Sequence, residues 1–410
     1  MDIPENPKLR QLEPIPVKQE GRDMIALRDP QGYLSNLVLL PPPVYFVASL
    51  CDGTRSLRDL QTAYVRRFGD IIPSSQIESI INELDKQLLL DNDTFREYKG
   101  QLDAEYLSLP NRPLISAGSG YQADPRALAD FIQTMLEGAE EVEAPGHLPI
   151  GAVAPHIDLE RGRECYGKLY SLLGRSFDAS YQPLVVILGT CHGDMEGPFA
   201  MTGKNYLTPF GLVETDVGLA EGIAQAAGME GLGDELSHRS EHSIEIQLPL
   251  LCVIFGGADR FRILPITCNS FHPFIEDDGT PSEDPEISSF ITALQGLLSA
   301  MEDKALFLAS ADLAHVGRRF GSALPLDGVM LSSVIAKDRE MLKPVEEGDA
   351  EGFFSYIAAE KDSRHVCGLP PIYTLVKTLG EREGELIDHC HWFDSQEGSA
   401  VTFAGLSFPL

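Results

Sequence analysis

From about Asn111 onward, short apolar runs of strand length alternate with stretches of helical period, and this alternation constrains the fold more than any other feature of the chain. The strand-like runs are 149–154, 184–188, 261–266, 305–309 and 401–406; the helical stretches are 125–136, 162–173, 217–227, 243–255 and 287–301. Such a pattern predicts an α/β domain over 111–410, a mixed sheet flanked by helices. Residues 273–285, rich in Asp, Glu, Pro and Gly, read as a solvated surface loop.

The N-terminal part follows different rules. Residues 1–21 are polar and proline-spotted and read as a flexible lead-in; 22–100 read as a small helical domain with short strands. A short helix is expected at 44–50, stopped by Asp52-Gly53. Ser56 with Asp59 is a capping pair for a helix over 57–68, with Leu57, Leu60, Tyr64 and Phe68 on one face. Ser75 with Glu78 repeats that signal for 76–90, with Ile77, Ile80, Ile81, Leu84 and Leu88 inward. Three short helices with flanking strands point to a winged-helix-like unit.

Composition removes several classes of function. Acidic residues outnumber basic ones 62 to 32, a net charge of −30, which disfavours nucleic acid and anionic membrane surfaces as partners. The arginines at 55, 58, 66 and 67 read as a solvated helix face. No run of about 18 apolar residues occurs to span a membrane. The polar N-terminus lacks a signal core, and seven cysteines without a CxxC pair fit a reducing, cytoplasmic setting. Dinucleotide-binding, phosphate-binding, serine-nucleophile and HExxH zinc motifs are all missing.

Three histidines stand just beyond apolar runs. His156 closes 150–155, His192 comes three residues after Gly189, and His315 follows 305–309 within a short turn. In open α/β sheets ligands bind beyond the carboxyl ends of the strands, so these imidazoles converge if their strands are neighbours. Three imidazoles are suitable ligands for zinc, iron or copper and leave positions open for substrate or water. Asp312 stands three residues before His315; on a helical turn the two would share a face. Its carboxylate is a ligand, an orienting partner of the histidine, or a cap for a helix beginning near Leu313. His242 and Glu245 lie three apart on an expected helix. His242 is either a general base near the metal or a hydrogen-bonded residue at the helix start, where Glu241 and Glu245 suit the helix dipole. Cys367, before Gly368 and two prolines, is an inert buried thiol or an oxidisable one beside a metal. His389 and His391 read as a strand surface, and His238 and His272 as solvated loop residues.

The stretches Ala154-Pro155-His156, Ile187-Leu188-Gly189-Thr190-Cys191-His192, Thr208-Pro209-Phe210-Gly211, Glu241-His242-Ser243-Ile244-Glu245, Ser310-Ala311-Asp312-Leu313-Ala314-His315 and Cys367-Gly368-Leu369-Pro370-Pro371-Ile372 resemble, in order, the motifs of the Memo family. Ala117-Gly118-Ser119-Gly120-Tyr121 is similar to the family's first motif, so the likeness runs from about 111 to the end. Within the family the chain looks most like AmmeMemoRadiSam system protein B. Around Cys51-Asp52-Gly53-Thr54, followed by Leu57 and Leu60, the N-terminal segment is similar to PqqD-type domains, which bind peptides.

The resemblance implies a fold shared with class III extradiol dioxygenases and a non-haem metal site. By that likeness His156, His192 and His315 are the metal ligands, Asp312 stands beside them, and Cys367 lies near the metal. Fe(II) is the first expectation, with copper or zinc as alternatives. His242 and Asp312 are the expected proton-moving residues, and Asp158, Glu241 and Glu245 the remaining acidic groups of the pocket. Gly120 and Gly193 depart from the family pattern, where a tryptophan and a second histidine are common. The expected function is a metal-dependent redox enzyme working alongside a radical-SAM protein. The alternative is a non-catalytic module that uses the same pocket to bind a peptide or protein.

Overall fold

A computed structural model describes residues 4–34, 36–139, 148–177, 181–301, 304–322 and 324–410. The chain forms two compact units, Met1–Ser108 and Leu109–Leu410.

In the first unit an antiparallel sheet of β1 (Glu13–Gln19), β2 (Arg22–Arg28) and β3 (Val38–Leu40), in that order, precedes four helices: Pro42–Ser49, Leu57–Phe68, Ser74–Lys86 and Asp93–Ser108. The expected lead-in therefore contains a strand; its residues 1–3 lie outside the described ones. Pro14 and Pro16 resemble breakers, yet β1 pairs only with β2, and an edge strand tolerates prolines. Glu20 and Gly21, at φ 50° and 77°, supply the two left-handed residues of a tight hairpin turn. The Ser56–Asp59 capping box is present and starts the helix at Leu57. Its expected repeat at Ser75 is not: that helix starts after Pro73 without a side-chain cap and ends at Lys86, and Leu88 turns the chain at φ 57°. Leu60, Ile77, Ile81 and Leu84 close the core around Leu27 and Val47.

The second unit is built on a mixed sheet flanked by helices. Its strands are β4 (Asn111–Arg112), β5 (Pro149–Ala154), β6 (Leu184–Thr190), β7 (Phe199–Met201), β8 (Asn205–Thr208), β9 (Gly211–Thr215), β10 (Arg262–Cys268), β11 (Ala305–Ser310), β12 (Asp312–Gly317), β13 (Glu385–Asp394) and β14 (Ser399–Pro409). The order is β12-β14-β5-β11-β6-β10-β9-β8-β4, with β13 on β14 and β7 on β10. Strands β5, β11, β6 and β10 are mutually parallel and form the centre. They read as unbroken apolar runs because both faces are covered. Val186, Leu188, Leu264 and Ile266 pack under helices Val217–Ala227, Pro285–Met301 and Leu369–Leu379; Val185, Ile187, Ile263 and Leu308 pack under Pro125–Glu137, Arg163–Ser176 and Gln247–Phe255.

Two departures matter for the site. The segment after β11 is strand β12 and not a helical turn, and its pairing with β14 is irregular between Asp312 and His315. The helix expected from 243 begins at Gln247, so His242 sits on the turn before it. A smaller difference is that 273–285 contains a helix, His272–Glu276, and a single turn at Pro281–Glu283. Among the described residues no helix is long and apolar enough to cross a membrane.

Candidate metal centre

Because β11 lies between β5 and β6, the residues that follow these three strands are neighbours. His156 follows β5, His192 follows β6 and Asp312 follows β11. The imidazoles of His156, His192 and His242 come together, their ligand atoms all within 4.8 Å of one another. Ring centroids are 5.0 Å apart for His156–His192, 5.3 Å for His156–His242 and 4.8 Å for His192–His242.

Each ring is held by its Nδ1 side. His156 Nδ1 lies 3.0 Å from the Ser310 carbonyl, an acceptor, so Nδ1 carries the proton and Nε2 keeps its lone pair. Asp312 Oδ1 accepts from the backbone N–H groups of His156 and Ile157, at 2.9 and 3.2 Å. Glu241 does the same for His192: its carboxylate accepts from the backbone N at 2.9 Å and lies 3.1 Å from Nδ1. It also accepts from Ser243 N at 2.7 Å and stands 3.4 Å from His242 Nδ1. One buried carboxylate thus orients two of the three imidazoles. Cys367 Sγ lies 3.4 Å from His156 Nε2, and Asp312 Oδ2 3.7 Å from it.

The platform beneath is polar and fully bonded. Gln247 donates to the Pro155 carbonyl and to Ser310 Oγ; Ser310 Oγ donates to the Ser243 carbonyl, and Ser243 Oγ to the Thr190 carbonyl. These four bonds tie the ends of β5, β11 and β6 to the segment carrying His242. Gly189 in β6 allows that segment to come so close: a Cβ there would stand 2.6 Å from both Ile244 Cγ1 and Ser243 Oγ.

Burial and charge set the protonation states. Burial lowers the affinity of His156 for a proton, against the opposing pull of Asp312. For Glu241 burial acts upward, but His192, His242 and the Ser243 N–H outweigh it and hold the group far below the usual carboxylate range. Burial and the Asp312 carboxylate push the Cys367 thiol up, so in the metal-free site it keeps its proton. A cavity of about 190 Å³ borders the group at His192 and is lined also by Cys191, Cys367, His272 and Asp362.

A family model described as "Memo-like protein" matches residues 112–407. The chain belongs to the Memo-like family. A MEMO1 family protein of Aquifex aeolicus is 29% identical over 393 residues, covering 94% of this chain and 96% of the relative. That coverage takes in most of the N-terminal unit. A MEMO1 family protein of Thermus thermophilus is 24% identical over 338 residues (82% and 93%), and one of Methanopyrus kandleri 29% over 285 residues (67% and 89%).

In this Memo-like chain the three imidazoles that come within 4.8 Å of one another are those of His156, His192 and His242; His315, an expected ligand, lies outside that trio but close enough to feel the charges of Asp312, His156 and His192. His315 follows Asp312 on the irregularly paired β12, and its ring Nδ1 lies 3.2 Å from the Leu313 carbonyl and 3.3 Å from that of His365. Burial lowers its pKa to about 4. Asp312 serves the His156 loop instead. Glu245 is fully buried and paired with Arg112, and accepts from Ile115 N, Ser116 N and Tyr121 Oη. Asp158 is engaged with Arg161 through the backbone N at 3.0 Å and Nη1 at 3.1 Å.

Sequence reasoning missed Arg112. Wholly buried, it donates to the carbonyls of His238 and Glu241 as well as to Glu245, and so clamps the segment leading into His242. Its two-residue strand gives no periodicity to notice. His238, expected in solvent, is buried, and the side chain of His389, expected on a strand surface, is covered. Tyr206 Oη and the Ala200 carbonyl take both nitrogens of His238, while His389 reaches Asp338 and Arg339.

Proposed function

We propose that the chain is a metal-dependent redox protein whose non-haem metal ion is held by Nε2 of His156 and His192, with His242 completing the set and Cys367 beside it. The supporting observation is that His156 and His192 are anchored through Nδ1 while their ligand atoms and that of His242 lie within 4.8 Å of one another. A ligand histidine characteristically carries such a support on its other nitrogen. The donors fit the group: imidazoles with a neighbouring thiol and carboxylate suit Fe(II), copper or zinc, and Fe(II) is favoured. When bound, such an ion supplies one-electron and oxygen chemistry that no side chain here can perform. The residues supply the rest. Glu241 keeps the proton of His192 on Nδ1, and Asp312 fixes the His156 loop. Thr190 Oγ1, donating to the Cys367 carbonyl, keeps that thiol at the cavity. The small cavity admits a small molecule or a single side chain.

This reading extends to the likenesses drawn from the sequence. The second unit takes the place of a class III extradiol dioxygenase-like fold. The first is a PqqD-like, winged-helix docking domain for a peptide or for a radical-SAM partner. The setting is cytoplasmic, in keeping with seven free cysteines.

Elemental analysis of anaerobically purified protein tests the centre. Wild type and His315→Ala are expected to carry near-stoichiometric iron or copper, and His156→Ala and His192→Ala to lose it while staying folded. Metal retained in both His156→Ala and His192→Ala, or no uptake by wild type on reconstitution, overturns the reading and favours a non-catalytic binding pocket.

A further inference from the structure

The cavity beside the histidine group has a charge pattern of its own. Among the described residues that line it, Asp362 is the one carboxylate, and none is a lysine or an arginine. Phe271, Val366, Leu369 and Pro370 give the wall an apolar stretch, and His192 and Cys367 border the same cavity. Asp362 is largely enclosed and only partly satisfied. Its Oδ1 accepts from Val366 N at 2.8 Å. Among the described residues Oδ2 makes no hydrogen bond: His272 Nδ1 stands 3.8 Å away, beyond reach, and the Nε2 of that ring is 3.5 Å from Glu276. Burial pushes the Asp362 carboxyl pKa up, against the pull of the Val366 N–H and of His365 and His272. That is the condition of an enclosed carboxylate without a full counter-charge.

The backbone that presents Asp362 is unusual. Lys361, Asp362 and His365 have φ of 54°, 47° and 52°, three non-glycine residues in the left-handed region within five positions. Such conformations persist where the surroundings over-determine them, and they cluster at ligand clamps. The restraints here are explicit. Arg364, buried in the middle of the turn, pairs with Asp338 and Glu360, and its carbonyl accepts from His315 N at 2.7 Å. His365 N donates to the Asp362 carbonyl at 2.9 Å, and the His365 carbonyl lies 3.3 Å from His315 Nδ1. The nearby guanidinium is thus committed to Asp338 and Glu360, and Asp362 keeps an oxygen for a donor from outside.

We propose that this cavity is an ammonium-binding site, in which Asp362 takes the cationic head of a primary alkylamine and Phe271, Val366 and Leu369 take its apolar chain. A carboxylate or phosphate would meet Asp362 with like charge and find no lysine or arginine in the lining to offset it. At about 190 Å³ the cavity lies below the usual range for drug-sized ligands, which limits the occupant to a small amine or the end of a lysine side chain. That the amine is the substrate of the metal centre rests on the function proposed above; that it binds at Asp362 does not.

Ligand-observed NMR titration of the full-length protein with n-butylamine, n-butanol and butyrate, probes of one chain length and different charge, tests the site. It is run on metal-free protein and on protein loaded with zinc as a diamagnetic ion. Both forms are expected to bind n-butylamine at least about tenfold more tightly than n-butanol, with no saturable binding of butyrate. Asp362→Asn keeps an oxygen for the Val366 N–H and removes the charge. It should fold and take up zinc as wild type does, and bind n-butylamine about tenfold more weakly, at the level of n-butanol. Butyrate binding as tight as that of n-butylamine, no saturable n-butylamine binding, or an unchanged affinity in Asp362→Asn overturns the proposal. Binding that needs zinc and ignores Asp362→Asn means direct ligation of the metal, and overturns it too. Nα-acetyl-lysine N-methylamide separates the two sources of the ammonium. Binding at least as tight as that of n-butylamine assigns the site to a lysine of a polypeptide, and weaker binding assigns it to a free amine. Zinc uptake without amine binding fails this site and leaves the metal reading intact; amine binding by a protein that takes up no metal does the reverse.

Discussion

His192 and His238 lie in one unit, both tied to the 238–245 segment, and differ in what their second nitrogen faces. His238 spends both nitrogens: one lies 3.0 Å from Tyr206 Oη and the other 3.2 Å from the Ala200 carbonyl. His192 gives one nitrogen to Glu241 and lines a cavity. The first arrangement fixes a neutral ring as a piece of core. The second prepares a ring to bind something. Burial alone does not separate the two, since His156 is nearly as enclosed as His238.

The largest expected effect comes from the residue that serves both histidines. Arg112 holds the His238 and Glu241 carbonyls and neutralises Glu245. Replacing Arg112 by alanine leaves a buried carboxylate unpaired and should cost about 3–5 kcal/mol in a urea titration. A smaller loss would mean that Glu245 takes up a proton or reaches water.

Glu241→Gln separates the two arrangements. It should weaken metal binding on the order of 10–100-fold in chelator competition, since it removes the charged support of His192 and His242. His238→Gln should leave that affinity unchanged.

The pH dependence of metal-free protein sharpens the comparison from the other side. Burial lowers the His238 pKa to about 3, against roughly 6.5 in the unfolded chain. Between these values the unfolded state binds the extra proton. Stability is therefore complete above about pH 6.5 and falls as the pH drops towards about 3, by at most about 1.4 kcal/mol per pH unit. His238→Gln should flatten the slope by close to one proton.

The smallest effect is a control in the other unit. Ser56→Ala removes the cap of helix Leu57–Phe68 and should cost about 1 kcal/mol of stability without changing metal affinity.

The strands that position the centre were legible because both of their faces are buried: the run 149–154 matches β5, and 305–309 matches β11 to within one residue. Helix 217–227 was equally plain, with Asp216 capping it and Gly228 ending it. Strand β12 was not legible, because Asp312-Leu313-Ala314-His315 suits a turn as well as a strand and its pairing with β14 is long-range. His242 was seen, but as a helical base and not as a member of the histidine group. The order of strands in a sheet, which decides which loops meet, leaves no local mark in the sequence. Arg112 and His238 illustrate a further gap: a charged or polar residue is read as solvated until its partners, far away in the chain, are known.

Gly189 has an evolutionary consequence. Any side chain at that position would collide with Ser243 and Ile244, so Gly189 cannot be replaced while those two residues keep their size and place. Change at 189 is open only after the facing segment has first become smaller. The strand that delivers His192 and the turn that carries His242 therefore constrain one another through a single glycine.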